Sequence, residues 1–106
     1  MNTKTYQIAL GLNDRETKVQ KYSTIEAYKI VTNLICARFG GGSVFEGRGV
    51  YRHTDGSNKI VSETTLFIFI SGAERSAVMA FCAELREMFN QESVMLSERD
   101  EITSFI

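Results

Sequence analysis

The chain of 106 residues has no proline and no tryptophan, one histidine and two cysteines. Each scarcity excludes something. Without proline, one common source of breaks in strands and helices is gone. A zinc site needs three or four converging ligands, and His53 has only Asp55 near it, so no metal site is expected. Cys36 and Cys82 stand apart on helix-like stretches, not at the spacing of a redox or zinc pair, and read as reduced packing residues. A Cys-His nucleophile would need one of them to meet His53, which the expected layout opposes. The longest apolar run, residues 66–70, is far short of the roughly 20 residues of a membrane helix. Met1-Asn2-Thr3-Lys4 opens on no apolar leader, so a cytoplasmic protein is expected. The net charge of -1 gives no pull toward nucleic acid or anionic membrane.

What is present reads as alternating short elements. Residues 6–12 alternate as a strand, and residues 13–22 form a charged loop. Ser23-Thr24-Ile25-Glu26 has the form of a capping box opening a helix that runs to Phe39, with Tyr28, Val31, Leu34 and Ile35 on its apolar face and Gly40 as its stop. Residues 43–52 read as a second strand, Asp55-Gly56 as a turn, and residues 60–70 as a third strand. Ser71-Gly72-Ala73-Glu74 resembles a second capping box. It opens a helix with Val78, Phe81, Cys82, Leu85, Met88 and Phe89 at helical spacing. Residues 92–97 read as a fourth strand. The order predicts one α+β domain over residues 1–106, a ferredoxin-like β-α-β-β-α-β sandwich. Its two helices would cover one face of a four-stranded antiparallel sheet.

The other sheet face is then open. With Arg52 opposite Val61, that face would hold Glu46, Arg48, Val50 and Arg52 beside Val61, Glu63, Thr65, Phe67 and Phe69. Phe45, Tyr51, Leu66, Ile68 and Ile70 would turn to the helices, with Gly47 and Gly49 letting a helix approach. A slip of one residue would exchange the faces of one strand. An uncovered face with two phenylalanines suggests association, so a homo-oligomer, a dimer or larger, is expected. The alternative is that Ile102, Phe105 and Ile106 of the tail fold over it.

The polar candidates follow from this layout. Glu46, Arg48, Arg52 and Glu63 either pair as structural salt bridges or leave arginines to grip a phosphate or carboxylate. The loop at 13–22 is either a solvated surface or a lid that brings Arg15 or Lys18 to an anionic ligand. Phe39-Gly40-Gly41-Gly42-Ser43 ends a helix and enters a strand, the reverse of a phosphate loop. The face lacks the basic background of an RNA-binding sheet.

Several segments together resemble a family of small bacterial domains of unknown function. They are Gly11-Leu12, Glu46-Gly47-Arg48-Gly49-Val50-Tyr51, Asp55-Gly56, Val61-Ser62-Glu63 and Phe89-Asn90-Gln91-Glu92-Ser93-Val94. The resemblance implies a ferredoxin-like fold and no established activity. In it, Gln91, Glu92 and Ser93 either tie the last strand to the first or rim a pocket with the loop at 13–22. The size and compactness also resemble accessory proteins of bacteriophages, some of which block host defence, and imply the host cytoplasm as location.

The expected function is a non-enzymatic oligomeric binding module for a small anionic, nucleotide-like ligand, with no cofactor. Arg48, Arg52, Arg15 and Lys18 would supply charge, Tyr51 or Phe67 a stacking surface, and Glu63 and Gln91 the remaining contacts. Two alternatives stay open. One is a protein-interaction module that inhibits a host enzyme. The other is a small enzyme with its site between subunits, using Glu63 or His53.

Overall fold

A computed structural model of the chain describes residues 2–52 and 55–106, so the readings placed on His53 lie outside the described residues. The elements run β1 (Asn2–Gly11), α1 (Thr24–Phe39), β2 (Ser43–Arg52), β3 (Ile60–Ser71), α2 (Arg75–Met88) and β4 (Met95–Ile102). The strands form one antiparallel sheet in the order β2-β3-β1-β4, the ferredoxin-like arrangement. Tyr6, Ile8 and Leu10 of β1 pair with Ile70, Ile68 and Leu66 of β3, so all six side chains leave the same face. There they are buried against Ala27, Val31 and Ile35 of α1 and Val78, Phe81, Cys82 and Leu85 of α2. Alternation in the strands and helical spacing in α2 thus meet in one core.

The ends of the helices follow local chemistry. The Ser23 hydroxyl accepts from the Glu26 amide at 3.1 Å and starts α1. Gly40, at a φ of 79°, ends it and donates its amide to the Cys36 carbonyl. Tyr28 points outward instead of joining the apolar face of α1, and Cys36 is exposed. Cys82 is buried, and its burial pushes its thiol pKa up. The second capping box does not form. Ser71 is still paired with Thr5 in the sheet, Gly72 turns the chain, and Glu74 precedes α2 without a side-chain cap.

β4 extends through Glu98-Arg99-Asp100-Glu101, further than its apolar residues suggest. It lies at the sheet edge, where charged side chains are tolerated and guard against further pairing. Asp100 meets Lys4 at 3.0 Å, and Glu101 accepts from Thr5 at 3.2 Å. No helix among the described residues is long and apolar enough to cross a membrane.

The register of the β2-β3 hairpin corrects the expectation by one residue. Arg52 pairs with Ile60 and Tyr51 with Val61. The faces of β3 are as expected, but those of β2 are exchanged. Phe45 and Tyr51 therefore share the open face with Glu63, Phe67 and Phe69, while Glu46, Arg48 and Arg52 alternate to the other side. Phe45 stacks on Phe69, with centroids 5.0 Å apart, and on Phe67 at 6.2 Å. Gly47 and Gly49 make room for side chains of the sheet, not for a helix. A Cβ on Gly47 would lie 2.7 Å from the Phe67 ring, and one on Gly49 2.6 Å from the Thr65 hydroxyl. The tail does not cover this face, since Ile102 and Phe105 are 81% and 92% exposed.

Candidate active site

The candidate site forms where β1 parts from β3. Gly11 is the last residue of β1 paired to β3, opposite Thr65, and the Leu12 amide still reaches the Thr64 carbonyl at 3.0 Å. One residue on, a side chain replaces the backbone partner: the Asn13 amide donates to Glu63 Oε2 at 2.9 Å. Gly11 seats that carboxylate. A Cβ there would lie 2.3 Å from Glu63 Oε1, so any other residue would displace it.

The chain then makes a tight, self-bonded loop. Asp14 Oδ1 accepts from the amides of Glu16 at 2.8 Å and Thr17 at 3.1 Å, the Asx-turn chemistry that Asp favours. Lys18, at a φ of 65°, returns the chain so that the Asp14 amide meets the Val19 carbonyl at 2.8 Å. The Lys18 ammonium donates to the Arg15 carbonyl at 2.6 Å.

The turn from α2 into β4 closes the site from the other side. Asn90 adopts a φ of 48°, conformational territory that asparagine tolerates better than most residues. Its side-chain amide donates to Asp14 Oδ2 at 3.0 Å, and its carbonyl accepts from the Arg15 amide at 2.9 Å. Gln91 is buried, and its side-chain amide donates to the carbonyl of Asn13. The Asn90 bond first, then the Thr17 and Glu16 amides, hold the Asp14 carboxyl down at a pKa of about 2.

Between these segments and the end of the hairpin lies a cavity of about 220 Å³. Asn13, Asp14, Arg15 and Lys18 line it from the loop, Tyr51, Arg52 and Glu63 from the hairpin, and Gln91, Glu92 and Ser93 from the turn into β4. Its charges are mixed, with Asp14, Glu63 and Glu92 facing Arg15, Lys18 and Arg52. The Tyr51 phenol pKa is raised by burial first and then by the negative charges of Glu63 and Glu92, so the hydroxyl keeps its proton at neutral pH. Arg52 spends one guanidinium nitrogen on the Asn58 carbonyl at 3.0 Å.

Six of the eight residues singled out from the sequence, Arg15, Lys18, Tyr51, Arg52, Glu63 and Gln91, surround this cavity. The other two do not line it. Arg48 shares its sheet face with Arg52 but sits further along β2 from the hairpin turn, where it donates to the hydroxyls of Ser62, at 2.8 Å, and Thr64, at 3.2 Å. Phe67 packs under Gly47 in the aromatic cluster of the open face. The pairing of Arg48 and Arg52 with Glu63 is replaced by the bond from Asn13. The seat at Gly11 and the tie between Asp14 and Asn90 escaped the sequence reading. The pattern Asp14-Arg15-Glu16-Thr17 was the available sign of the Asx turn. Among the described residues, no three His, Cys, Asp or Glu side chains are clustered to hold a metal ion.

No protein-family model matches the chain, and no curated protein does. The resemblance to bacterial domains of unknown function therefore gains no support from a family model. Several solved chains are similar, among them two of the same enzyme type. One is a phage SAM lyase in complex with S-methyl-5'-thioadenosine, 31% identical, with a TM-score of 0.71, over 92% of this chain and 81% of that one. The other is a phage SAM lyase in the apo state, 29% identical, with a TM-score of 0.68, over 92% of this chain and 79% of that one. Both neighbours are phage enzymes. They overturn the expectation of a non-enzymatic binding module and favour the alternative of a small enzyme.

Proposed function

The chain belongs to the family of phage SAM lyases, and from that membership we propose that it cleaves S-adenosylmethionine and releases S-methyl-5'-thioadenosine from the cavity around Glu63 and Tyr51. The observation that carries this reading is the 31% identity to a SAM lyase holding that thioether, spread over 92% of the chain.

The cavity's charges suit such a substrate. S-adenosylmethionine carries a sulfonium and an ammonium group against one carboxylate. The anion expected from the sequence gives way to a zwitterion with net positive charge. Glu63 and Glu92, whose negative field already reaches the Tyr51 phenol, face the cationic groups. The Tyr51 ring offers its face to the sulfonium, an attraction of the cation-π kind. Arg15, Lys18 and Arg52 are the cations available to the substrate carboxylate.

The leaving group explains why a conventional catalytic set is not needed. When the carbon-sulfur bond breaks, its electron pair returns to sulfur and the sulfonium becomes a neutral thioether. No acid has to protonate it. The remaining four-carbon fragment must then satisfy the carbon it exposes. Its own carboxylate oxygen can bond to that carbon, or the neighbouring carbon can lose a proton to a base such as Glu63. In either route water adds nothing to the broken bond. The protein's task is to orient the substrate and stabilise shifting charge with fixed groups. Loss of the methyl donor would starve host enzymes that consume it, a chemical route to the anti-defence role suggested by size and compactness.

The test is direct. Purified protein is incubated with S-adenosylmethionine in ¹⁸O-labelled water, and the products are separated by mass. Release of S-methyl-5'-thioadenosine without label in a hydroxyl group of the four-carbon product supports the lyase. Glu63→Gln should lower kcat by roughly 100-fold or more, the scale of losing a charge-stabilising group. Intact substrate, or a hydroxyl carrying the label, overturns the reading.

A further inference from the structure

Gln91 lines the cavity, yet its side chain is spent on the fold. Its amide nitrogen donates to the carbonyls of Asn13 and, at 3.4 Å, Phe89. Asn13 is thereby held at both ends: its carbonyl by Gln91 and its amide by the Glu63 carboxylate. The next residue is held too, through the Asp14 carboxylate and the Asn90 side chain, and the Arg15 amide is bonded to the Asn90 carbonyl. The turn between α2 and β4 therefore grips the backbone that orients Glu63, although it does not touch Glu63 by any of these bonds.

We infer that Gln91 is a positioning residue for Glu63: it fixes the carbonyl on one side of the Asn13 Cα, and the amide on the other side holds the carboxylate, with the Asp14-Asn90 pair as a second tie. This rests on the lyase reading for its consequence in turnover, but the relay is a property of the fold. Gly11 supplies the reason that such a relay is required. The space it leaves lets the carboxylate lie against the backbone, and only the Asn13 amide holds it there among the bonds described. A substrate-facing carboxylate held by one backbone donor is as well placed as that donor is.

A double-mutant cycle on the full chain tests this. Gln91→Met keeps the length and removes the donor. It should lower kcat for S-adenosylmethionine roughly 10- to 100-fold, the scale of a small misplacement, and leave KM near its wild-type value. Added to Glu63→Ala, it should lower the residual kcat no further, because the two residues act through one another. An equal loss in both backgrounds overturns the inference. So does a rise in KM with kcat unchanged, which would make Gln91 a substrate contact. A second readout does not depend on activity. Amide hydrogen exchange at Asn13 should quicken in Gln91→Met and in Glu63→Ala alike, and unchanged exchange in Gln91→Met overturns the relay. If the wild type fails to cleave S-adenosylmethionine but the Asn13 amide responds in this way, the relay stands and the lyase reading falls. Should Gln91→Met fail to fold, Asp14→Ala cuts the second tie and is read by the same measurements.

Discussion

Residues 66–70 and residues 60–64 belong to the same strand, β3, but only the first group has neighbours on three sides. Leu66 and Ile68 pair with both β1 and β2, Ile70 pairs with β1, and all three are sealed beneath the helices. Beyond Thr64 the strand has lost β1 and keeps only β2, and Ile60 is 65% exposed. Glu63 sits just past this parting. The buried half gives the molecule its stability, and the half that β1 abandons gives it a place to put a carboxylate. On the proposed lyase reading, the group that meets substrate must not be satisfied by a full ladder. Here the same departure of β1 that opens the cavity frees the Asn13 amide to hold the Glu63 carboxylate.

The largest effect should separate the halves by stability. Ile68→Ala removes a fully buried side chain from the centre of the sheet and should cost roughly 2–5 kcal/mol of folding free energy, read by urea unfolding. Glu63→Ala should leave the unfolding midpoint close to the wild type, because its bond from the Asn13 amide lies at a partly exposed edge. Equal losses in the two variants would mean that the end of the hairpin is as much core as the centre.

Gly11→Ala should do the reverse of Ile68→Ala. Its new Cβ would fall 2.3 Å from Glu63 Oε1, but that carboxylate is the end of a flexible side chain and can move away. Stability should change little, while turnover of S-adenosylmethionine falls roughly 10- to 100-fold through misplacement of the acid. Full activity in Gly11→Ala would mean that the position of Glu63 on Gly11 has no part in catalysis.

The same division decides what the sequence reveals. Alternation over Tyr6, Ile8, Leu10 and Leu12, and helical spacing from Val78 to Phe89, are statements about burial, and burial sets the fold. The order of elements and the sheet architecture could be read from them. β2 resists such reading because Val44-Phe45 and Val50-Tyr51 place an apolar residue on each parity. Alternation then favours neither register, and the aromatic contacts of Phe45 with Phe67 and Phe69 decide it. The charged loop drew attention to Arg15 and Lys18, but the bonds from Asn90 and Gln91 join residues far apart in sequence and have no local signature. The chemistry was the least legible part. A sulfonium leaves without an acid, so a lyase acting on it needs no Cys-His or metal cluster that a sequence would display.

A smaller effect concerns the loop itself. Asp14 has its folded pKa lowered to about 2 from an ordinary 3.8. A lowered value means that the ionised form is the one favoured by folding, so its contribution is present above 3.8 and is lost as pH falls through about 2. The difference in melting temperature between the wild type and Asp14→Ala should therefore be greatest above pH 3.8 and shrink toward pH 2. A difference that stays constant across that range would mean that the bonds from Asn90, Thr17 and Glu16 do not depend on the charge.

The smallest effect sharpens the comparison across the sheet instead of along it. Arg48 and Tyr51 are three residues apart on β2, and alternation sends them to opposite faces. Arg48 reaches Ser62 and Thr64, both on its own face, while Tyr51 turns to the cavity with Glu63. The bonds of Arg48 are exposed, and exposed polar contacts contribute little. Arg48→Ala should change stability by less than about 0.5 kcal/mol. It should also leave kcat and KM for S-adenosylmethionine at their wild-type values, because its guanidinium does not line the cavity. Tyr51→Ala should raise KM, since on the proposed reading it removes the ring that faces the sulfonium. If Arg48→Ala proved the more damaging of the two, Arg48 would take part in turnover in spite of lying outside the cavity.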